Sequence, residues 1–162
     1  MEIELRQTTE NDLQYVLAAE GHDENRRFIT AWPEEKHGEV LDDANIEHLI
    51  VESKPTNQRI GFVILAGLQS KHRNIEFMRI VITEKGKGYG RAAVRAIKRH
   101  AFETLAAHRL WLDVKEHNMR ARALYENEGF RYEGTLRECL KGQEGFESLV
   151  VMSMLEQEYS KA

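Results

Sequence analysis

The sequence predicts a mixed α/β (α+β) fold, a mostly antiparallel sheet flanked by helices, and three observations carry that prediction. Three β-rich runs, 48–53, 59–68 and 75–82, follow one another with only turn-like segments between them. After the glycine cluster Gly86, Gly88 and Gly90 the apolar period changes from about 2 to about 3.6 residues. The chain has 162 residues, 41% of them hydrophobic and two of them proline, which is enough apolar material for one core and suits one domain over 1–162.

Taken in order, Ile3 and Leu5 alternate with polar neighbours as in a half-buried strand. Thr9 and Asp12 resemble a capping pair that opens a helix through Leu13, Val16 and Leu17, ending at Gly21. The stretch from His22 to Asp43 contains Trp32-Pro33, and proline suits a first helical position, so one or two short helices are expected there. The connections 54–58 and 70–73 are short, which makes the three central strands antiparallel neighbours. Beyond the glycines, Val94, Ile97, Ala101 and Leu105, with Phe102 beside them, form one apolar stripe on a helix. Leu110 to Val114 returns to strand. Asn118 to Glu128 is helical and stops at Gly129, a residue suited to the left-handed position past a helix end. The segments 130–136 and 146–155 close the sheet as a pair of strands.

Composition excludes several functions. Lys and Arg number 23 against 27 Asp and Glu, a formal charge of -4, so there is no general footprint for nucleic acid or an anionic membrane. No run of roughly 18 apolar residues occurs, and the opening residues lack a basic-then-apolar leader pattern, so a cytoplasmic protein without a membrane span is expected. Cys139 is the single cysteine, which rules out an internal disulfide and a cysteine-built metal site, and nothing near it suggests an activated nucleophile. His100, His108 and His117 lack ligand spacing, so no metal is assigned. Charge is uneven, however: between Glu20 and Glu47 nine carboxylates stand against Arg26, Arg27 and Lys36. Such a stretch either faces water or concentrates a cationic acceptor, and both readings stay open here.

The loop Lys85-Gly86-Lys87-Gly88-Tyr89-Gly90-Arg91 lies between an apolar strand and a long helix. Unpaired amides at a helix start, with the helix dipole behind them, form an anion site, and glycines let the backbone approach the ligand closely. Each amide bonded to a charged phosphate oxygen contributes roughly 1.5–3 kcal/mol, so about three or four of them hold a pyrophosphate. Lys85, Lys87 and Arg91 add positive charge. Two other readings stay open: a tight turn and nothing more, or a dinucleotide fingerprint, since Gly88-Tyr89-Gly90-Arg91-Ala92-Ala93 fits G-x-G-x-x-G/A with Asp113 ending the next strand. The fingerprint needs continued β-α alternation in a parallel sheet, whereas this loop follows an antiparallel meander. No lysine followed by serine or threonine completes a Walker loop.

The second constellation is the run from Asn118 through Leu124-Tyr125 to Gly129-Phe130. Together the two motifs resemble the GNAT N-acetyltransferase superfamily, whose acetyl-CoA loop reads Q/R-x-x-G-x-G/A and whose later helix reads N-x-x-A-x-x-L-Y-x-x-x-G-F. Asn118, Ala121, Leu124, Tyr125, Gly129 and Phe130 match the helix pattern, and Gly88 and Gly90 match the loop. Lys85 stands where Gln or Arg is usual, and the strand-to-loop connection is about one residue shorter. The segment Glu133 to Glu138 and the tail Leu149 to Glu158 are similar to the branch that contains ribosomal-protein alanine and spermidine acetyltransferases.

The resemblance implies a GNAT fold and an acetyl-CoA-dependent N-acetyltransferase in which an amine attacks the thioester directly and no metal takes part. It implies that backbone amides at Ile80, Val81 and Ile82 bind the pantetheine arm and polarise the thioester carbonyl. It places Lys85, Gly86, Lys87, Gly88, Tyr89, Gly90 and Arg91 around the pyrophosphate, and Asn118 and Ala121 beside the cofactor. Tyr125 corresponds to the family's general acid, and a phenol near the sulfur can protonate the departing thiolate. Read without the resemblance, Tyr125 also fits a core tyrosine and Asn118 a plain N-cap. The base candidates are Asp113, ending the 110–114 run, and Glu76, on the strand that feeds the thioester site; a carboxylate in a strand is more often a solvated or ion-paired surface group. The expected acceptor is an amine-bearing small molecule such as a polyamine, or a protein N-terminus, with a homodimer left open. A non-catalytic acyl-CoA-binding regulator is the rival from another class, and an NAD(P)-binding oxidoreductase the third reading.

Overall fold

Seven strands form one sheet in the order β1-β2-β3-β4-β5-β7-β6. They are β1 (Ile3–Gln7), β2 (Ile46–Ser53), β3 (Gln58–Ala66), β4 (Asn74–Ile82), β5 (Arg109–Lys115), β6 (Arg131–Gly142) and β7 (Gly145–Leu155). The computed structural model describes residues 2–22, 25 and 28–161. The helices it describes are α1 (Leu13–Gly21), α2 (Glu34–Val40), α3 (Tyr89–Arg99), α4 (Met119–Asn127) and α5 (Glu156–Ser160). Neighbouring strands are antiparallel throughout, apart from β4 and β5, which run parallel. No described helix is long and apolar enough to cross a membrane.

The capping pair works as its spacing suggests. The Thr9 N–H and hydroxyl both donate to Asp12 Oδ2, at 2.9 and 3.2 Å, and a single 3-10 turn at Glu10–Asp12 leads into α1. Arg6 donates to both Asp12 oxygens, at 2.8 and 3.0 Å, which fastens the end of β1 to that turn. Pro33 differs from expectation: it is the extended N-cap of α2 and not its first helical residue. Within the predicted helical stretch 22–43, positions 23, 24, 26 and 27 lie outside the described residues.

The α3 stripe is an apolar face pressed on the sheet. Ala93, Val94, Ile97 and Ala101 are fully buried, and each large aliphatic among them is stabilised by roughly 1.5–3 kcal/mol on leaving water. The helix widens after Arg99 into a π turn, His100–Thr104, so the stripe runs on beyond the regular α-helix. Two layers of core result. One, between the sheet and α3 and α4, holds Phe77, Leu110, Leu112, Tyr125 and Phe130; the other, under α1, holds Val16, Ile50, Phe62, Ile64 and Val81.

Strand β6 continues beyond the predicted stop at 136, through an irregularity between Leu136 and Leu140, and α5 was not anticipated. A second irregularity bears on function. In the β3–β4 ladder Ile64 faces Arg79 while Leu65 faces Phe77, so Met78 is an extra residue, a β-bulge. Phe77 packs with the α3/α4 core, as do Ile80 and Ile82, whereas Met78 and Val81 pack on the α1 side. The bulge therefore resets which face each later residue of β4 occupies.

Candidate active site

Pairing between β4 and β5 is confined to Asn74–Glu76 against Arg109–Trp111. Beyond Glu76 the strands part, and a cavity of about 1320 Å³ opens in the gap, bounded by β4, β5, the glycine loop and α4. The sheet itself decides which β4 amides face it. Thr83 N–H donates to Ile60 O at 2.8 Å, and in an antiparallel ladder such pairs alternate. By that alternation Val81 spends its N–H on β3, while the N–H groups of Ile80 and Ile82 turn toward the gap. Of the three amides expected there, the Val81 amide is thus not offered to the cavity.

At the start of α3 the backbone is ready for an anion. Gly88 is the N-cap in a left-handed conformation, φ 82°, a region that costs a side-chain-bearing residue about 1–2 kcal/mol. No side chain caps the helix, and the first intrahelical bond runs from Ala92 N–H to Gly88 O at 3.3 Å. The Tyr89, Gly90 and Arg91 amides at this end are the orphan donors. Lys85, Gly86, Gly88, Tyr89, Gly90 and Arg91 all line the cavity. Lys87 does not: its Nζ lies 3.3 Å from Glu84 Oε2, outside the lining. The Tyr89 hydroxyl turns back to Ser53 Oγ at 3.3 Å.

The two motifs are fastened to each other by Glu128, one residue before Gly129. Arg95 donates to both of its carboxylate oxygens, at 3.0 and 3.3 Å. Lys98 Nζ reaches its carbonyl at 2.7 Å, and Arg91 Nε lies 3.8 Å away. Burial alone would raise the Glu128 pKa, but the hydrogen bonds from Arg95 and Lys98 outweigh it and hold it below the usual value. Gly129 has φ 96°, a left-handed conformation that favours glycine at the α4 stop; a Cβ there would also stand 2.6 Å from the flexible end of Met154, at Cε. Asn118 caps the other end, its Oδ1 accepting from Ala121 N–H at 3.2 Å, and both residues line the cavity.

Tyr125 is 8% exposed, lines the cavity and packs edge-on against Phe77 and Phe130, each at 5.8 Å between centroids. Burial pushes its phenol well above the ordinary tyrosine value, so the group is protonated at neutral pH. Burial also raises Asp113, and raises Glu76 with a further contribution from the Asp113 charge. The structure separates these two carboxylates: Asp113 lines the cavity and Glu76 does not.

Of the two readings the acidic segment left open, most of its described carboxylates take the solvent-facing one, with Asp23 and Glu24 outside the described residues. Glu34, Glu35, Glu39, Asp42 and Asp43 are exposed and off the cavity, whose lining from this part of the chain is Asn25, Phe28, Ile29 and Thr30. Glu47 is paired with His100 and Glu20 is buried under α1. Sequence reasoning missed the cluster around Glu20. Its Oε1 accepts from His37 at 2.7 Å and from Trp32 N–H at 3.2 Å, and its Oε2 is paired with Arg79. His37 Nδ1 meets His48 Nε2 at 3.1 Å, and His48 Nδ1 meets Thr8 Oγ1 at 2.8 Å. The available signal was a charged or polar residue inside an apolar strand run, His48 in one and Arg79 in another.

Among the described residues no group of three His, Cys, Asp or Glu side chains could hold a metal. Residues 2–131 match the model of the acetyltransferase (GNAT) domain family. The spermidine N(1)-acetyltransferase of Vibrio cholerae serotype O1 is 30% identical over 148 residues, with 85% of this chain and 83% of that protein covered. The crystal structure of spermidine N-acetyltransferase from Vibrio cholerae in complex with CoA and spermine superposes with a TM-score of 0.89 at 25% identity, covering 98% of each chain. A chimera of that organism's enzyme SpeG with hSSAT gives 0.90 at 25% identity over the whole of both chains.

Proposed function

The chain belongs to the GNAT acetyltransferase family and is an acetyl-CoA-dependent N-acetyltransferase; we propose that its acceptor is a polyamine of the spermidine class. The observation that carries the reading is the parting of β4 from β5, which puts the α3 amides, the Ile80 and Ile82 amides, Asp113 and Tyr125 on one cavity. Likeness to spermidine acetyltransferases supports the acceptor class.

The fit to acetyl-CoA rests on the uncapped start of α3 for the pyrophosphate and on a volume larger than the roughly 300–1,000 Å³ of a drug-sized pocket. Lys85 and Arg91 add charge at that end, and Gly86, Gly88 and Gly90 keep the backbone accessible. Asn118 and Ala121 border the pantetheine arm from α4. The Ile80 and Ile82 amides bind the arm and take up charge developing on the thioester oxygen. Asp113 takes the proton from the acceptor's ammonium, directly or through a water, and its raised pKa suits that task. Glu76 stays off the cavity lining, its carboxyl feeling the Asp113 charge. As the amine bonds to the acyl carbon and the carbon–sulfur bond breaks, Tyr125 protonates the departing thiolate.

The exposed carboxylates of α2 lie off the cavity and act at a distance, drawing cations toward the opening with a reach of about 8–10 Å at physiological salt. The test follows CoA thiol release with spermidine, an alanine-starting peptide and an acidic-starting peptide at low and high salt. Preference for spermidine that weakens as salt rises is expected. Preference for the acidic peptide, independent of salt, would overturn the polyamine reading; no thiol release with any amine would leave a CoA-binding regulator. A larger thermal shift with acetyl-CoA than with NAD separates both from an oxidoreductase.

A further inference from the structure

We propose that Glu20 is the charge-compensating residue that lets the amine side of the cleft hold a cation, by neutralising Arg79 in the cavity wall. The inference rests on the reading that the acceptor is a cationic amine, and it adds a positioning residue that touches neither substrate.

Arg79 owes its place to the bulge at Met78, which turns two consecutive residues of β4 toward the α1 side. There it lines the cavity next to Thr30, whose carbonyl accepts from its Nη2 at 2.8 Å. A guanidinium cannot lose its proton, so this wall would be permanently positive. Of the other cations on the lining, Lys115 is matched by Glu147 at 3.1 Å, Lys85 and Arg91 stand at the glycine-loop end, and Arg120 stands on the first turn of α4. For Arg79 the matching carboxylate is Glu20, brought from α1 and 1% exposed. Trp32 closes the pair from outside, its ring 5.0 Å from the Arg79 guanidinium and 4.1 Å from Lys36 Nζ.

The carboxylate is held so that it cannot turn away. His37, fully buried, donates or shares a proton with Oε1, and its own ring is fixed by His48, which is fixed by Thr8. That chain ties α2, β2 and the end of β1 to one oxygen of Glu20 and leaves the other for Arg79. Burying two charges to stabilise a fold is a poor bargain compared with apolar packing. Next to a cavity that takes ammonium groups, the arrangement has a second effect, since it cancels a repulsive field at the acceptor.

Two like unit charges set about 8 Å apart, at an effective dielectric of about 20, repel enough to weaken binding roughly thirtyfold, which sets the scale for an unmatched guanidinium in the wall of an ammonium site. Glu20→Gln should therefore raise the amine KM roughly ten- to thirtyfold, with acetyl-CoA affinity and kcat at saturating amine within about threefold of the wild type. In this variant the amine KM should fall as salt rises, the reverse of the parent enzyme. Adding Arg79→Gln removes the unmatched cation and should bring the KM back to within about threefold of the wild type. An unchanged KM in folded Glu20→Gln, or a KM in the double variant as high as in the single one, overturns the proposal. If Glu20→Gln alone does not fold, the double variant, which leaves neither charge unpaired, decides: a wild-type KM sustains charge compensation, and a tenfold higher one shows that the pair supplied shape instead. Should the parent enzyme favour a primary amine other than spermidine, the polyamine reading fails alone. The same ratios, measured on that amine, then judge Glu20, because it too is an ammonium at neutral pH.

Discussion

Replacing His48 should flatten the pH dependence of stability in a window where the other shifted groups act weakly or in the opposite sense. The His48 ring is 2% exposed and stacks on Phe62 at 5.5 Å. Burial first, and the neighbouring His37 second, hold its pKa down to about 4, against about 6.5 for histidine in an unfolded chain. Between those values the unfolded chain binds a proton that the folded one refuses, so stability is lost as pH falls through the window and is recovered above it. The full difference of about 2.5 pH units corresponds to about 3.4 kcal/mol, of which about 2.5 kcal/mol is lost between about pH 7.5 and 4.5. Asp12, Glu20, Glu52 and Glu128 have lowered values, so their contributions are lost only at lower pH, as the solution falls through and below the unfolded carboxylate range. Glu76 and Asp113, which are raised, take up protons in the folded state first and oppose the loss. Comparing the wild type with His48→Gln in urea at each pH cancels these shared contributions, and Gln keeps a donor and an acceptor for Thr8 and His37. The wild type should lose about 2.5 kcal/mol more than the variant over that range. Parallel curves for the two proteins would refute the buried-neutral assignment of His48.

Tyr125→Phe keeps the packing on Phe77 and Phe130 and removes the proton donor, so kcat should fall about a hundredfold, about 2.7 kcal/mol, with acetyl-CoA affinity little changed. Wild-type turnover would return Tyr125 to a core role. Because burial raises Asp113, kcat/KM should decline on the acid side at a pH above the ordinary carboxylate value of about 3.9, and Asp113→Asn should lower activity and abolish that limb. An unaltered limb in the Asn variant would place the base elsewhere. Gly88→Glu puts a side chain on a left-handed residue and a carboxylate at the α3 amides, and should abolish the thermal shift given by acetyl-CoA; an undiminished shift in the folded variant would remove the loop from the binding site.

Local features were legible in the sequence because local interactions produce them. Alternation and β-rich runs placed the strands to within a few residues, apart from the end of β6, Asn118 and Gly129 bounded α4 by capping chemistry, and the glycines before α3 announced a helix start without a side-chain cap. The motif helix and loop carried the family and the reaction class, since both need particular residue types at fixed spacing. What the tertiary structure alone decided depends on partners far away in the chain. The Met78 bulge has no propensity signature; it arises from the register of β3 on β4, and it determines which residues of that strand reach each face. Pairing of β4 with β5 over only three positions opens the cavity, whose lining includes Asp113 and leaves out Glu76 and Lys87, while the β3–β4 ladder turns the Ile80 and Ile82 amides toward it. Glu20, His37, His48 and Arg79 come from α1, α2, β2 and β4, and although His48 and Arg79 interrupt apolar strand runs, nothing local joins the four. Their common burial makes them one hydrogen-bonded unit, because an ionised or polar group taken out of water is stable only with a partner, and those partners are supplied by packing and not by neighbours in sequence.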